Sequence, residues 1–175
     1  LHPPELTLER RLACLRDLRE IGYQVGCGFM VGSPGQTSAT LAEDLRLVEE
    51  LRPEMCGIGP FVPHHATPFA EEPAGSVALT CYLLSLLRLI DPCLLLPATT
   101  ALATLDPRGL ERGMLAGANV AMPNLSPMDV REKYELYDNK AHAGSEAAEG
   151  LAELRRRMES VGCRVVVDRG DARRR

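Results

Sequence analysis

Four short apolar runs in this chain each break off at glycine, proline or hydroxyl residues just before a helical pattern begins. They read VGCGFMVGSPGQT from Val25, MCGIGPFVPHH from Met55, LLLPATTA from Leu94 and ANVAMPNLSP from Ala118. Strands that hand polar groups to their C-terminal ends suit a parallel α/β barrel, whose sites are built where those ends converge. The intervening stretches are helical in period. Leu8, Leu12, Leu15 and Leu18 recur behind Pro3 and Pro4, and Gly22 stands where a left-handed C-cap belongs, which predicts a helix over 7–21. A strand over 24–32 follows. Ser33-Pro34-Gly35 then turns the chain into a second helix, with Thr40 and Glu43 as a capping box, Leu41, Leu45, Val48 and Leu51 as its apolar stripe, and Pro53 as its stop.

The alternation continues with a strand over 55–62, a helix carrying Leu79, Leu83, Leu86, Leu87 and Ile90, and a strand over 94–98. Asp106 as N-cap with Pro107 at the first position predicts a fourth helix ending at Gly117. A strand over 118–122 and a last helix on Ala147, Leu151, Leu154 and Met158 complete the pattern. Four αβ units with continuous apolar strands predict a parallel sheet covered by helices on both faces. The expected fold class is α/β, the C-terminal half of a (β/α)8 TIM-type barrel, with about four parallel strands and covering helices. Residues 1–140 would be the partial barrel and 141–175 a C-terminal helix and tail. A closed barrel needs roughly 200 to 250 residues, and this chain has 175. It is expected to start in mid-sequence at Leu1, and standing alone it would expose two sheet edges and half an interior.

Composition narrows the partners. Net charge is −4 and aromatic residues make up 4% of the chain, so a basic groove with stacking platforms for nucleic acid is not expected. Arg173 to Arg175 read as a solvated tail. The apolar run over 79–96 is interrupted by Arg88, Asp91 and Pro92, which argues against a membrane span, and a cytoplasmic location is expected. Six cysteines, Cys14, Cys27, Cys56, Cys81, Cys93 and Cys163, form no CxxC or CxxxCxxC set, so no metal site is expected within the chain. Cys27, Cys56 and Cys93 fall in strand positions, where a thiol serves as a small buried hydrophobe. His64 and His65 are adjacent in a proline-containing loop, a spacing that suits a surface loop better than a metal ion. Arg108 is expected to anchor a loop or cap a helix.

Taken together, GYQVGCGFMVGSPGQT from Gly22, PEMCGIGPFVPHHATPF from Pro53, PATTA from Pro97, AGANVAMPNLSP from Ala116 and KYELYDNK from Lys133 resemble the HydE-type maturases of FeFe hydrogenase. That family belongs to the radical S-adenosylmethionine enzymes and is related to biotin synthase. The resemblance implies that the four strands are the fifth to eighth of the barrel, and that a 4Fe-4S cluster is held by a CxxxCxxC loop upstream of Leu1. It implies no catalytic residue within these residues, and the fragment alone is expected to be inactive. The implied activity of the parent is maturation of the hydrogenase H-cluster, with a 5′-deoxyadenosyl radical acting on a cysteine-bound Fe(CO)2(CN) species. Its implied partners are that small organometallic substrate, other hydrogenase maturation proteins and an electron donor.

The resemblance also assigns residues. Arg11 matches the arginine that pairs with the carboxylate of S-adenosylmethionine, a task suited to the planar guanidinium fork. Arg10 beside it shows that spacing alone does not choose between them. Gly28, Met30 and Gly32 match the adenine-side strand, with Ile58, Pro60 and Phe61 as further contacts. Met55, Thr99, Thr100, Met122, Tyr134 and Tyr137 match the substrate cavity, the paired hydroxyls able to donate to a small anion. Where some members hold a second cluster with cysteines, this chain has His142, Gly150 and Glu153, so that cluster is expected to be missing. Two alternatives stay open: a biotin-synthase-like radical enzyme acting on an organic substrate, and a non-catalytic half-barrel that binds a nucleoside or a partner.

Overall fold

The computed structural model describes residues 3–123 and 147–172. Tyr134, Tyr137 and His142 lie outside them. The first helix, α1 (Leu8–Ile21), begins where the Thr7 hydroxyl accepts from the Arg10 amide, and it ends in Gly22 at φ 102°. The Gly22 amide donates to Arg19 and the Tyr23 amide to Leu18, the paired bonds of a Schellman close. None of its residues is buried among the described residues, so the leucine stripe of α1 is only half covered.

Strand β1 (Gly26–Val31) leads into α2 (Ser38–Leu51), which starts one turn earlier than its sequence suggests. The capping box joins Thr37 and Thr40 instead of Thr40 and Glu43, because Thr37 keeps an extended backbone and can reach the Thr40 amide. Arg52 closes α2 in the left-handed region at φ 48°, and Pro53 prevents its continuation. The Arg19 guanidinium donates to the Leu51 and Arg52 carbonyls at 2.8 and 3.0 Å, tying α1 to the end of α2. Strand β2 (Met55–Pro60), helix α3 (Val77–Ile90) and strand β3 (Pro97–Ala98) follow.

An unexpected short helix precedes the expected fourth one. Helix α4 (Thr100–Leu105) ends at Asp106, and α5 (Gly109–Leu115) begins after Arg108. Asp106 does not cap α5 as an N-cap. Its carboxylate accepts from the Arg108 amide at 2.8 Å in a turn between the helices, and pairs with Arg112 at 2.6 Å. Strand β4 (Val120–Ala121) and helix α6 (Ala147–Glu159) complete the described elements.

All the pairings are parallel. β1 pairs with β2 from Gly26↔Met55 to Val31↔Pro60, Met55 bridges to Leu95, and β3 pairs with β4. The strands therefore lie side by side in chain order. β3 is short because Pro97 has no N–H to give to the ladder. The Asn119 side chain fills in just before it, accepting from Leu96 at 2.8 Å and donating to the Leu94 carbonyl at 3.3 Å.

The expectation of helices on both faces is not met at β1 and β2. Cys27, Phe29 and Val31 alternate with exposed Gly26, Gly28 and Met30, and buried Cys56, Ile58 and Pro60 alternate with half-buried Met55, Gly57 and Gly59. One face packs into a core with Leu83, Leu84, Leu87, Leu94, Leu96 and Leu102; the other is bare among the described residues except at Gly59, where the start of α4 rests. Four glycines on the bare face hide this alternation in the sequence, because they offer no side chain for a polarity pattern to register.

Within the core, Cys27 and Cys56 are register partners. Contact with the Cys27 thiol, and then burial, push the Cys56 thiol far up, so it stays protonated and behaves as a hydrophobe. Cys93 departs from its expected role: it stands exposed in the turn before β3, its amide held by the Asp91 carboxylate at 2.9 Å. At the N-terminal ends of the strands the C-terminal tail crosses beneath the sheet. Gln24 donates to Asp171 at 2.6 Å and accepts from the Ala172 amide at 2.7 Å. A cavity of about 640 Å³ lies above the tail, lined by Cys93, Leu95, Met114, Met158 and Cys163 among others. No helix among the described residues is long and apolar enough to cross a membrane.

Candidate functional site

The parallel order brings the strand exits to one rim. Gly32 follows β1, Pro60 ends β2, Thr99 and Thr100 follow β3, and Met122 follows β4. The cavity above the tail is lined by residues before β3 and along β4 and contains none of these residues.

Below the rim the bare face forms a glycine-lined floor. A methyl group placed on Gly57 would meet nothing within 4 Å, so the floor is open there. On Gly59 it would meet the Thr99 hydroxyl at 2.7 Å and the Ala101 methyl at 3.5 Å, so the start of α4 rests directly on β2. Only a glycine at 59 lets α4 come this close. Met30, 47% exposed, and Met55 stand on the same face at its two ends, Met30 near the rim and Met55 near the strand starts.

Thr99 holds the most unusual side chain of the rim. It occupies the N-cap position of α4 but makes no cap bond, and its Oγ1 is fully buried with no hydrogen-bond partner. A buried hydroxyl without a partner costs about 1–3 kcal/mol. Thr99→Val, which removes that group at nearly constant shape, is accordingly expected to stabilise the ligand-free protein by about 1 kcal/mol. Thermal unfolding of the two proteins side by side checks this. Thr100 is half-buried at the first position of α4, its carbonyl accepting from Thr104 at 3.0 Å.

The other assigned residues divide. Ile58 is buried at 1% exposure on the helix-packed face, so what it can offer a ligand is backbone and not side chain. Pro60 and Phe61 are also buried; Phe61 packs edge-on against Phe69 at 6.4 Å, and its amide donates to Val31 at 2.8 Å. Met122 is 57% exposed at the rim. Arg11 is exposed near the N-terminal end of α1, an element with no buried residue. His64 and His65 stack at 4.4 Å in the loop after β2, where His64 Nδ1 accepts from the Ala66 amide.

Among the described residues, no cluster of three or more histidine, cysteine or acidic side chains is placed to hold a metal ion. Sequence reasoning missed Gln36, whose side chain grips the β1 exit at Met30 and Gly32. The only signal for it was its place two residues after Pro34 in the turn.

No family model matches the chain. It is 46% identical over 137 residues to the [FeFe] hydrogenase maturase subunit HydE of Thermotoga maritima, covering 78% of this chain and 39% of that one. It is 27% identical to the 3-methylornithine synthases of Methanosarcina acetivorans and Methanosarcina barkeri, over 84% and 89% of this chain and 40% and 43% of theirs. The chain thus spans about two fifths of the length of the curated relatives it matches. Its fold matches the crystal structure of methylornithine synthase (PylB) with a TM-score of 0.72 at 23% identity, over 94% of this chain and 47% of that one. Over the residues it spans, the chain is HydE-like and falls among relatives of the radical S-adenosylmethionine superfamily.

Proposed function

We infer that these residues form the second half of a barrel whose full-length protein binds S-adenosylmethionine and matures the hydrogenase H-cluster. The observation that carries this reading is the buried, unpartnered Thr99 hydroxyl beside an open glycine floor, at the rim where four parallel strands end. Such a floor accommodates a flat nucleoside against backbone, and the hydroxyl awaits a polar partner. The relative at 46% identity supports the maturase activity in particular.

In this reading Gly28, Met30 and Gly32 bear the adenosyl group, with Pro60 and the backbone of Ile58 and Phe61 at its edge. Arg11 pairs with the methionine carboxylate. Thr99, Thr100, Met55, Met122, Tyr134 and Tyr137 line the substrate chamber, where thioether and methyl surfaces keep water from an iron complex carrying cyanide and carbon monoxide. Bound S-adenosylmethionine supplies a 5′-deoxyadenosyl radical once an electron reaches it.

A 4Fe-4S cluster does not fit this chain's own cysteines. Cys27 and Cys56 face each other in the core, and Cys14 and Cys93 are exposed on separate elements. The cluster ligands are assigned to sequence outside these residues, with other maturation proteins and an electron donor as partners in the cytoplasm. The likeness to the methylornithine synthases favours a second reading, a radical enzyme acting on an amino-acid skeleton.

The test uses the full-length protein reconstituted anaerobically. About four irons per chain and tight S-adenosylmethionine binding are expected, and Arg11→Ala should weaken that binding about tenfold to a hundredfold through loss of a bidentate charged pair. Unchanged affinity in this variant would return Arg11 to the solvated face of α1. Turnover of an iron-cyanide complex favours the maturase, and turnover of an amino acid favours the second reading.

A further inference from the structure

The Gln36 side chain folds back onto the strand that precedes it. Its Nε2 donates to the Met30 carbonyl at 2.8 Å, and its Oε1 accepts from the Gly32 amide at 2.6 Å. Both backbone groups lie on the edge of β1 that faces away from β2. The Val31 carbonyl between them accepts from Phe61 on the β2 side, and successive peptide groups point to opposite edges along a strand. A primary amide offers one donor and one acceptor side by side, so Gln36 stands in for a residue of a neighbouring strand. The turn that permits this is Ser33-Pro34-Gly35-Gln36. Pro34 is second, Gly35 is third at φ 78°, and the Gln36 amide donates to the Ser33 carbonyl at 3.0 Å. That geometry reverses the chain within four residues and brings residue 36 back alongside residue 30.

We propose that Gln36 is a positioning residue for the nucleoside rim: it locks the backbone of Met30 to Gly32 and ends strand pairing on the free edge of β1 at Met30. The first half of this proposal rests on the reading that the adenosyl group of S-adenosylmethionine meets the β1 exit. A strand arriving on that edge can pair beside Gly28 but finds the Met30 carbonyl and the Gly32 amide already engaged. Native sheets blunt their edges by this kind of occupation. The clamp also sets the direction of the Met30 side chain across the bare face, which is why its effect should reach the ligand.

The experiment compares wild type, Gln36→Ala and Gln36→Glu in the full-length protein. S-adenosylmethionine affinity is measured by calorimetry at about pH 8, and amide hydrogen exchange is followed at Gly32. Gln36→Ala is expected to weaken binding about tenfold, for two partly exposed hydrogen bonds, and to speed exchange at Gly32 with the circular dichroism spectrum unchanged. In Gln36→Glu a protonated carboxyl can make both bonds, whereas an ionised one cannot donate and repels the Met30 carbonyl. An ordinary glutamate is ionised at pH 8, so Gln36→Glu should bind at least as weakly as Gln36→Ala although it fills the same space, a loss that a space-filling role would not produce. Wild-type affinity in Gln36→Ala overturns the positioning role, and unchanged exchange at Gly32 overturns the clamp. A wild-type protein that binds no S-adenosylmethionine, while Gln36→Ala still speeds exchange, would overturn the cofactor reading and uphold the edge clamp.

Discussion

Gly28→Ala is expected to lower the melting temperature by roughly 6–12 °C, the equivalent of about 3 kcal/mol in a domain of this size. A methyl group at Gly28 would sit 2.0 Å from the Gly57 carbonyl oxygen and 2.9 Å from its carbon. Both are backbone atoms of the register partner, so no side-chain rotation relieves the overlap. The strands must separate at the middle of their ladder, weakening hydrogen bonds on either side, each worth about 1 kcal/mol. Gly57→Ala is the control. Its added methyl meets nothing within 4 Å, and its stability should stay within about 1 kcal/mol of wild type. Differential scanning calorimetry of both variants checks the pair. Equal melting temperatures would show that β1 and β2 do not approach as described. Because Gly57→Ala puts a methyl group on the open floor without harming the fold, it also separates loss of ligand space from loss of structure.

Glu111→Gln is expected to cost about 2–3 kcal/mol at neutral pH, with a cost that shrinks in acid. Glu111 on α5 is 7% exposed, and its carboxylate meets the Arg157 guanidinium of α6 through two bonds at 2.7 and 2.6 Å. A third bond, from Arg157 to the Pro107 carbonyl at 2.8 Å, completes the joint, and Leu154 and Met158 are buried on α6. Removing one partner of a fully buried pair costs about 3–5 kcal/mol; here the arginine side chain keeps 24% exposure and its bond to Pro107, which reduces the figure.

The guanidinium of Arg157 holds the Glu111 carboxyl below its usual range. A depressed carboxyl pKa stabilises the fold at pH values above the unfolded-state value, and the contribution disappears as pH falls through the folded-state value. The difference between wild type and Glu111→Gln should therefore be full at pH 7, begin to narrow below the ordinary value of 4.5 and vanish in stronger acid. Urea unfolding at a series of pH values measures it. A difference that is flat with pH would show that the pair contributes shape and not charge.

Several features were legible in the residues alone because their causes are local. Thr7 and Gly22 bound α1 where expected, Pro53 stops α2, and the order of helices and strands follows from periodicity and punctuation. That Gly32, Pro60, Thr99 and Met122 share one rim follows as soon as the strands are parallel, since each residue sits at or just beyond a strand's C-terminal end. The family was legible for a different reason: five segments carried its pattern in the right order.

What only tertiary structure decided were the directions of side chains and the identity of distant partners. The bare face of β1 and β2 was invisible because glycine has no polarity to alternate. Thr99 stands at the N-cap position of α4, yet its hydroxyl packs over Gly59 and makes no cap bond. Ile58 and Met30 are both apolar strand residues, yet pleating sends one into the helical core and the other to the open face. Thr40 lies one turn inside α2 because Thr37 is the extended residue that caps it, and Asp106 holds the turn before α5 while Arg108 occupies the N-cap position. Gln36 and the Glu111–Arg157 joint depend on a turn reversing the chain and on helices 46 residues apart in sequence meeting. Periodicity carries which residues prefer burial and where elements stop; only the folded backbone determines what each of them then touches.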